Sequence, residues 1–205
     1  MRGLLRLATG LTLAFLYAPL IVIAVYAFNE RRTATWPPPG FTFDWWSRAF
    51  HNHGVRNALW TSIQAGLGAT AIALALGTLA AFAVGRYRFF GRESVSFLVV
   101  LPIALPGIVT GMALNSTFTQ VLGVDLTLFT IIVGHATFCI VVVYNNVIAR
   151  LRRLGGSLEE ASADLGAHTW QTFRYVTFPQ MRSALIAGGL LAFALSFDEI
   201  GRAHV

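Results

Sequence analysis

A bilayer core about 30 Å thick is crossed by roughly 20 residues of α-helix, and this 205-residue chain contains five apolar runs of about that length. They fall approximately at 7–28, 58–84, 94–118, 126–148 and 183–199. The runs are helix-length and, up to Phe197 in the last, uncharged, so the expected structure is an all-α membrane protein. With 56% hydrophobic and 12% charged residues and a mean hydropathy of +0.65, the chain lies outside the range of soluble domains. Arg2 and Arg6 precede the first run as they would in a secretory signal. That run is too long for a signal core and no small-residue cleavage site closes it, so an uncleaved anchor is expected.

All 15 basic residues are arginine. With no lysine to serve a phosphate-binding loop or a Schiff base, any nucleotide must be handled by another chain. A pI near 10.4 would suggest nucleic acid in a soluble protein. Here the arginines sit mainly in short loops between apolar runs, so the excess is read as topology; no nucleic-acid partner is expected, and membrane lipid is the surrounding medium. A cytoplasmic N-terminus puts Arg2, Arg6, Arg86, Arg88, Arg92, Arg150, Arg152, Arg153, Arg174 and Arg182 inside. Arg31, Arg32, Arg48 and Arg56 then lie in an external loop over 29–57. In that loop Trp36-Pro37-Pro38-Pro39-Gly40 cannot continue a helix and Trp45-Trp46 suit the headgroup level, so an external cap on the bundle is expected. The single cysteine, Cys139, excludes an intrachain disulfide framework.

Small residues repeat along the second span at Ala65, Gly66, Ala69, Ala73, Gly77, Ala80 and Ala81, and Gly107 with Gly111 forms a GxxxG pair in the third. Both patterns predict close helix packing. Pro102 and Pro106 remove two backbone donors and predict a kink in the third span. Among polar residues inside spans, His135 and Cys139 are read as packing residues, because two mixed ligands make no metal site. Asn115, Asn145 and Asn146 are read as interhelical hydrogen bonders. His51-Asn52-His53 has no supporting residues for a metal or nuclease site. Asp198, about 15 residues into the fifth span and roughly 22 Å along it, is a candidate for a cation path, set against a purely structural role.

The longest polar stretch, 150–182, has a pattern that predicts folding. Leu158, Ala161 and Leu165 recur at i, i+3 and i+7, while Glu159, Glu160 and Asp164 point elsewhere, which describes a short amphipathic helix ended by Gly166. The apolar stripe is expected to face the bundle and the acids to face outward. Thr169 is expected to cap a second turn holding Trp170 and Phe173, and Pro179 to open the fifth span. Acids facing an anionic leaflet are repelled, so the helix is read as a docking element for a cytoplasmic partner.

Glu160-Ala161-Ser162, Asp164-Leu165-Gly166-Ala167 and Val176-Thr177-Phe178-Pro179 resemble the EAA loop of binding-protein-dependent ABC importer permeases. Ser162 replaces the usual second alanine and Phe178 the usual leucine before proline. Tyr17-Ala18-Pro19, Arg86-Tyr87-Arg88-Phe89, Leu101-Pro102, Gly107-Ile108-Val109 and Ser196-Phe197-Asp198-Glu199 extend the resemblance along nearly the whole chain, towards the spermidine/putrescine permease subfamily. The resemblance implies a type I ABC importer permease bundle in the bacterial plasma membrane and not an enzyme. It further implies partners: cytoplasmic ABC ATPase subunits, a second permease subunit, and a periplasmic or extracellular substrate-binding protein. Glu160, Ala161, Ser162, Asp164, Leu165, Gly166 and Ala167 would couple ATPase closure to alternating access, with a polyamine or related small solute as cargo. A stand-alone channel or secondary carrier is the alternative.

The ending Ile200-Gly201-Arg202-Ala203-His204-Val205 breaks the fifth span with an arginine and a histidine. These six residues translate one frame of a common sequencing adapter, whose preceding bases also complete the codon of Glu199. Residues 200–205 are therefore expected to be a non-native tail on a C-terminally truncated chain, with five of six expected transmembrane helices present in the permease domain 1–199.

Overall fold

The computed structural model describes residues 2–33, 35–105 and 107–200, apart from the side chains of Arg2, Ile103, Ala104, Glu199 and Ile200. The expectations for Glu199 and for a tail at 200–205 thus fall outside the described side chains and, from 201 onward, outside the described residues. The chain divides into two compact units, Met1–Leu59 and Trp60–Val205.

In the first unit, α1 (Arg2–Tyr26) is apolar on all sides and exposed from Gly3 to Ala24, a composition that suits lipid rather than water. After it the chain turns through an antiparallel bridge between Asn29 and Phe41. Trp45, on α2 (Asp44–His51), donates from its indole N–H to the Asn29 carbonyl at 2.9 Å, and the Arg32 and Arg48 guanidiniums flank its ring at 5.3 and 5.1 Å. Phe28 packs against Phe43 and Trp46, so the loop carries a small, partly exposed aromatic cluster of its own.

α3 (His53–Arg86) runs from the first unit into the second. Most of its small-residue stripe is buried: Ala65, Gly66, Ala69, Ala73, Gly77 and Ala81 lie inside, and Ala80 is half-buried. The reason is clearest at Gly77, where an added Cβ would sit 2.9 Å from the Ile140 carbonyl oxygen and 3.1 Å from the Val143 Cβ. Only a glycine lets α3 lie this close to α6 (Leu128–Leu154). The core forms around α6 and α9 (Phe178–Ile200), with Tyr144, Leu151, Val147 and Met181 fully covered. Tyr144 also shares a hydrogen bond of 2.8 Å with Ser96 of α4 (Arg92–Ala104), tying that helix in.

Among the described residues, four helices are long and apolar enough to span a membrane, and the third expected span is a fifth candidate only if a break is bridged. α4 and α5 (Gly107–Ser116) meet at 98° instead of forming one kinked helix. Leu105, the residue before Pro106, is extended at φ −91°, ψ 142°, because the proline ring excludes the helical region there. The expected GxxxG packing is not seen: among the described residues nothing lies within 4 Å of a Cβ added at Gly107 or Gly111. The asparagines differ from expectation too. Asn146 Nδ2 bonds the Val142 carbonyl one turn back on its own helix, and Asn115 and Asn145 are exposed.

α6 begins with a capping box at Thr127 and runs on to Leu154, so Arg150, Arg152 and Arg153 form its last turns and not a loop. Cations there complement the negative end of the helix. At the start of the fifth span, a π-helical turn over Phe173–Thr177 joins α8 (Thr169–Thr172) to α9, so that residues 169–198 form one long helical run. The wider turn makes room for Pro179, whose ring would clash with the carbonyl four residues back in a regular helix.

Candidate coupling site

α7 (Ser157–Asp164) is a two-turn helix between α6 and α8. Gly155, at φ 62°, turns the chain out of α6, and Gly166, at φ 85°, ends α7. The end is a complete Schellman motif: Gly166 N–H bonds the Ala163 carbonyl at 2.8 Å and Ala167 N–H bonds the Ser162 carbonyl at 3.1 Å. The terminator role expected of Gly166 is therefore built into the backbone. The following turn is capped by His168, not by Thr169 as expected. Gln171 Oε1 accepts from the His168 N–H at 2.9 Å, which places Thr169 at the first helical position.

The orientation of α7 overturns the expectation that its apolar stripe faces the bundle. Leu158 is 54% exposed and Leu165 90%, and Ala161 is exposed with them. The inward side chains are Glu159 and Ser162, one residue further along, so the helix is rolled by about 100° from the expected setting. Ser162 shares a hydrogen bond of 2.9 Å with Thr172. Glu159 forms an ion pair of 2.9 Å with Arg86 and accepts from the Thr177 hydroxyl at 2.9 Å. The guanidinium at the end of α3 needs a partner more than the leucines need cover, since a half-buried charge left unpaired costs more than an exposed methyl group.

Of the expected site residues, Glu160, Ala161, Asp164, Leu165 and Gly166 are exposed on the outer side, and Ser162 and Ala167 are half-buried. Leu165, Gly166, Ala167, Gln171 and Tyr175 edge a shallow groove of about 390 Å³. Tyr175, on that groove, is 71% exposed and Trp170, on α8, is 65% exposed, so apolar and aromatic side chains stand open beside the acids of α7. The arrangement has no nucleophile and base in register; it can bind a complementary surface. Arg86, Glu159 and Thr177 form a cluster that sequence reasoning did not assemble. The only signal was an arginine ending a long apolar helix, with a carboxylate and a hydroxyl far along the chain.

Asp198 lies apart from this group, exposed near the end of α9. Two residues before it, buried Ser196 bonds His135 Nδ1 at 3.0 Å, and Cys139 donates to the Ala192 carbonyl at 3.3 Å. His135 and Cys139 thus tie α6 to α9, in keeping with their reading as packing residues.

A family model described as "Binding-protein-dependent transport system inner membrane component" matches residues 73–200. The chain is 34% identical over 193 residues to the putrescine transport system permease protein PotI of Escherichia coli (strain K12), covering 91% of this chain and 68% of the relative. It is 32% identical over 188 residues to the spermidine/putrescine transport system permease protein PotC of Haemophilus influenzae, covering 91% and 72%. Among solved structures, a bacterial ABC transporter involved in the import of the acidic polysaccharide alginate superposes with a TM-score of 0.60 at 20% identity, over 95% of this chain and 70% of that one. This likeness establishes the fold.

Proposed function

The chain belongs to the family of binding-protein-dependent transport system inner membrane components, and on that premise we propose that it carries a polyamine inward, driven by ATP hydrolysis on separate ABC ATPase subunits that grip α7. The observation that carries this reading is the outward surface of α7. A helix with exposed Leu158, Ala161 and Leu165 beside Glu160 and Asp164, ended by a rigid glycine cap, is a preformed ligand for a groove on a cytoplasmic protein. A stand-alone channel or secondary carrier has no use for such an element, so that alternative is not favoured.

In this reading Glu160, Ala161, Asp164, Leu165 and Gly166 meet the ATPase subunit, while Ser162 and Ala167 support the helix from within. A second permease subunit completes the pathway and a substrate-binding protein delivers cargo from outside. The distribution of arginines supports a cytoplasmic N-terminus, because ten of them then flank the spans on the inner side. The names of the relatives PotI and PotC support a polyamine as cargo, and Asp198, a carboxylate in an otherwise apolar span, is read as lying on the path of a cationic substrate. The test is co-purification with an ABC ATPase subunit followed by reconstitution in vesicles. ATP hydrolysis and putrescine uptake should appear only with the ATPase subunit, the second permease subunit and the binding protein present; uptake by the permease alone would refute the reading.

A further inference from the structure

A docking surface transmits nothing unless the helix that bears it is anchored to the bundle. α7 has no buried residue, so apolar packing does not anchor it. Its anchors are polar: the Ser162–Thr172 hydrogen bond to α8, and a denser set of contacts gathered at Glu159. Glu159 Oε1 accepts from Arg86 Nη2 at 2.9 Å and from Thr177 Oγ1 at 2.9 Å, and the same Nη2 donates to the Gly155 carbonyl at 3.1 Å. The end of α3, the turn leaving α6, α7 itself and the π-helical turn leading into α9 therefore meet at a single ion pair, Glu159 receiving α3 and the π-helical turn, and Arg86 holding the turn leaving α6.

Exposed ion pairs seldom hold a structure together. This one differs in two respects. The Arg86 and Glu159 side chains are only 22% and 28% exposed, and Arg86 Nε is buried with no acceptor among the described residues. Removing Glu159 would leave a largely covered guanidinium without its counter-charge.

From this geometry we infer that Arg86, Glu159 and Thr177 form the joint through which movement of α7 reaches α3 and α9, with Glu159 as its positioning residue. The inference rests on α7 being the element that the ATPase grips. It separates two roles within one short helix: Glu160 and its neighbours hold the partner, and Glu159, on a different side, holds the bundle. Loosening the joint should leave the partner attached while its motion is lost before it reaches the membrane.

The test uses the importer reconstituted with its ATPase subunits, second permease subunit and binding protein. Three quantities are read: ATPase subunit retained, ATP hydrolysed, and putrescine taken up per ATP. Glu159→Gln and Arg86→Gln should each retain the ATPase subunit at the wild-type level and lower uptake per ATP about tenfold, within the range typical of coupled sites. The reversed pair, Arg86→Glu with Glu159→Arg, should move uptake per ATP back towards wild type. If variants at Arg86 and Glu159 fail to insert, Thr177→Val carries the test, since it removes one hydrogen bond and leaves the ion pair; about a threefold loss is expected on the same measure. Unchanged uptake per ATP in the inserted variants, or a loss matched by equal loss of bound ATPase subunit, would overturn the inference. A wild-type permease that retains no ATPase subunit would overturn the docking reading itself, an outcome visible before any variant is made.

Discussion

Gly166 separates two ways in which a residue can matter to docking. Its φ of 85° lies in the left-handed region, and nothing stands within 4 Å of a Cβ added there. Within this chain, therefore, the cost of a side chain is conformational and not steric. For most residues it amounts to about 1–2 kcal/mol, equivalent to roughly a 5- to 30-fold loss of the capped conformer, taking 1.4 kcal/mol per factor of ten. Asparagine tolerates this conformation better than alanine despite its greater size. If the cap is what docking requires, Gly166→Ala should weaken binding of the ATPase subunit by about that factor and Gly166→Asn by less. If instead the groove on the partner needs an empty position, the order should follow size, with alanine mildest and leucine most severe. Affinity of the ATPase subunit for the permease in nanodiscs, measured by titration, reads the order. Equal wild-type affinity in all three variants would refute both the cap argument and the placement of Gly166 at the interface.

Charge reversal by Glu160→Lys should abolish ATP-driven uptake while the chain still inserts, as judged by its level in washed membranes; normal uptake would remove Glu160 from the interface. Asp198→Asn should weaken putrescine uptake in the assembled importer without loss of subunits, and unchanged uptake would leave Asp198 a structural role. In the bundle, Gly77→Ala forces a methyl group to within 2.9 Å of the Ile140 carbonyl oxygen and should cost about 1–3 kcal/mol. Gly111→Ala meets open space and should be neutral or slightly stabilising. At roughly 2–4 °C per kcal/mol for a chain of this size, thermal unfolding in detergent should separate the two; coincident midpoints would refute the close approach of α3 and α6.

The long apolar helices were legible in the sequence, the broken third excepted, because a bilayer makes one demand that local composition answers: about 20 consecutive apolar residues, with the backbone satisfied inside the helix. The terminator Gly166 and the small-residue stripe of α3 were legible for a similar reason. A left-handed cap and a close backbone approach each admit very few residue types. Where a pattern is necessary but not sufficient, only the tertiary structure decided. Gly107 and Gly111 have the spacing of a packing motif, yet among the described residues nothing lies within 4 Å of a Cβ added at either, because spacing makes close approach possible without supplying a helix to approach. Periodicity likewise placed Leu158, Ala161 and Leu165 on one stripe of α7 but said nothing about what that stripe would face. Arg86 and Thr177, 73 and 18 residues from Glu159, settle the roll of the helix, and they do so because a half-covered charge outweighs a few exposed methyl groups. Periodicity specifies which residues share a face; the neighbour each face meets depends on contacts that only folding brings together.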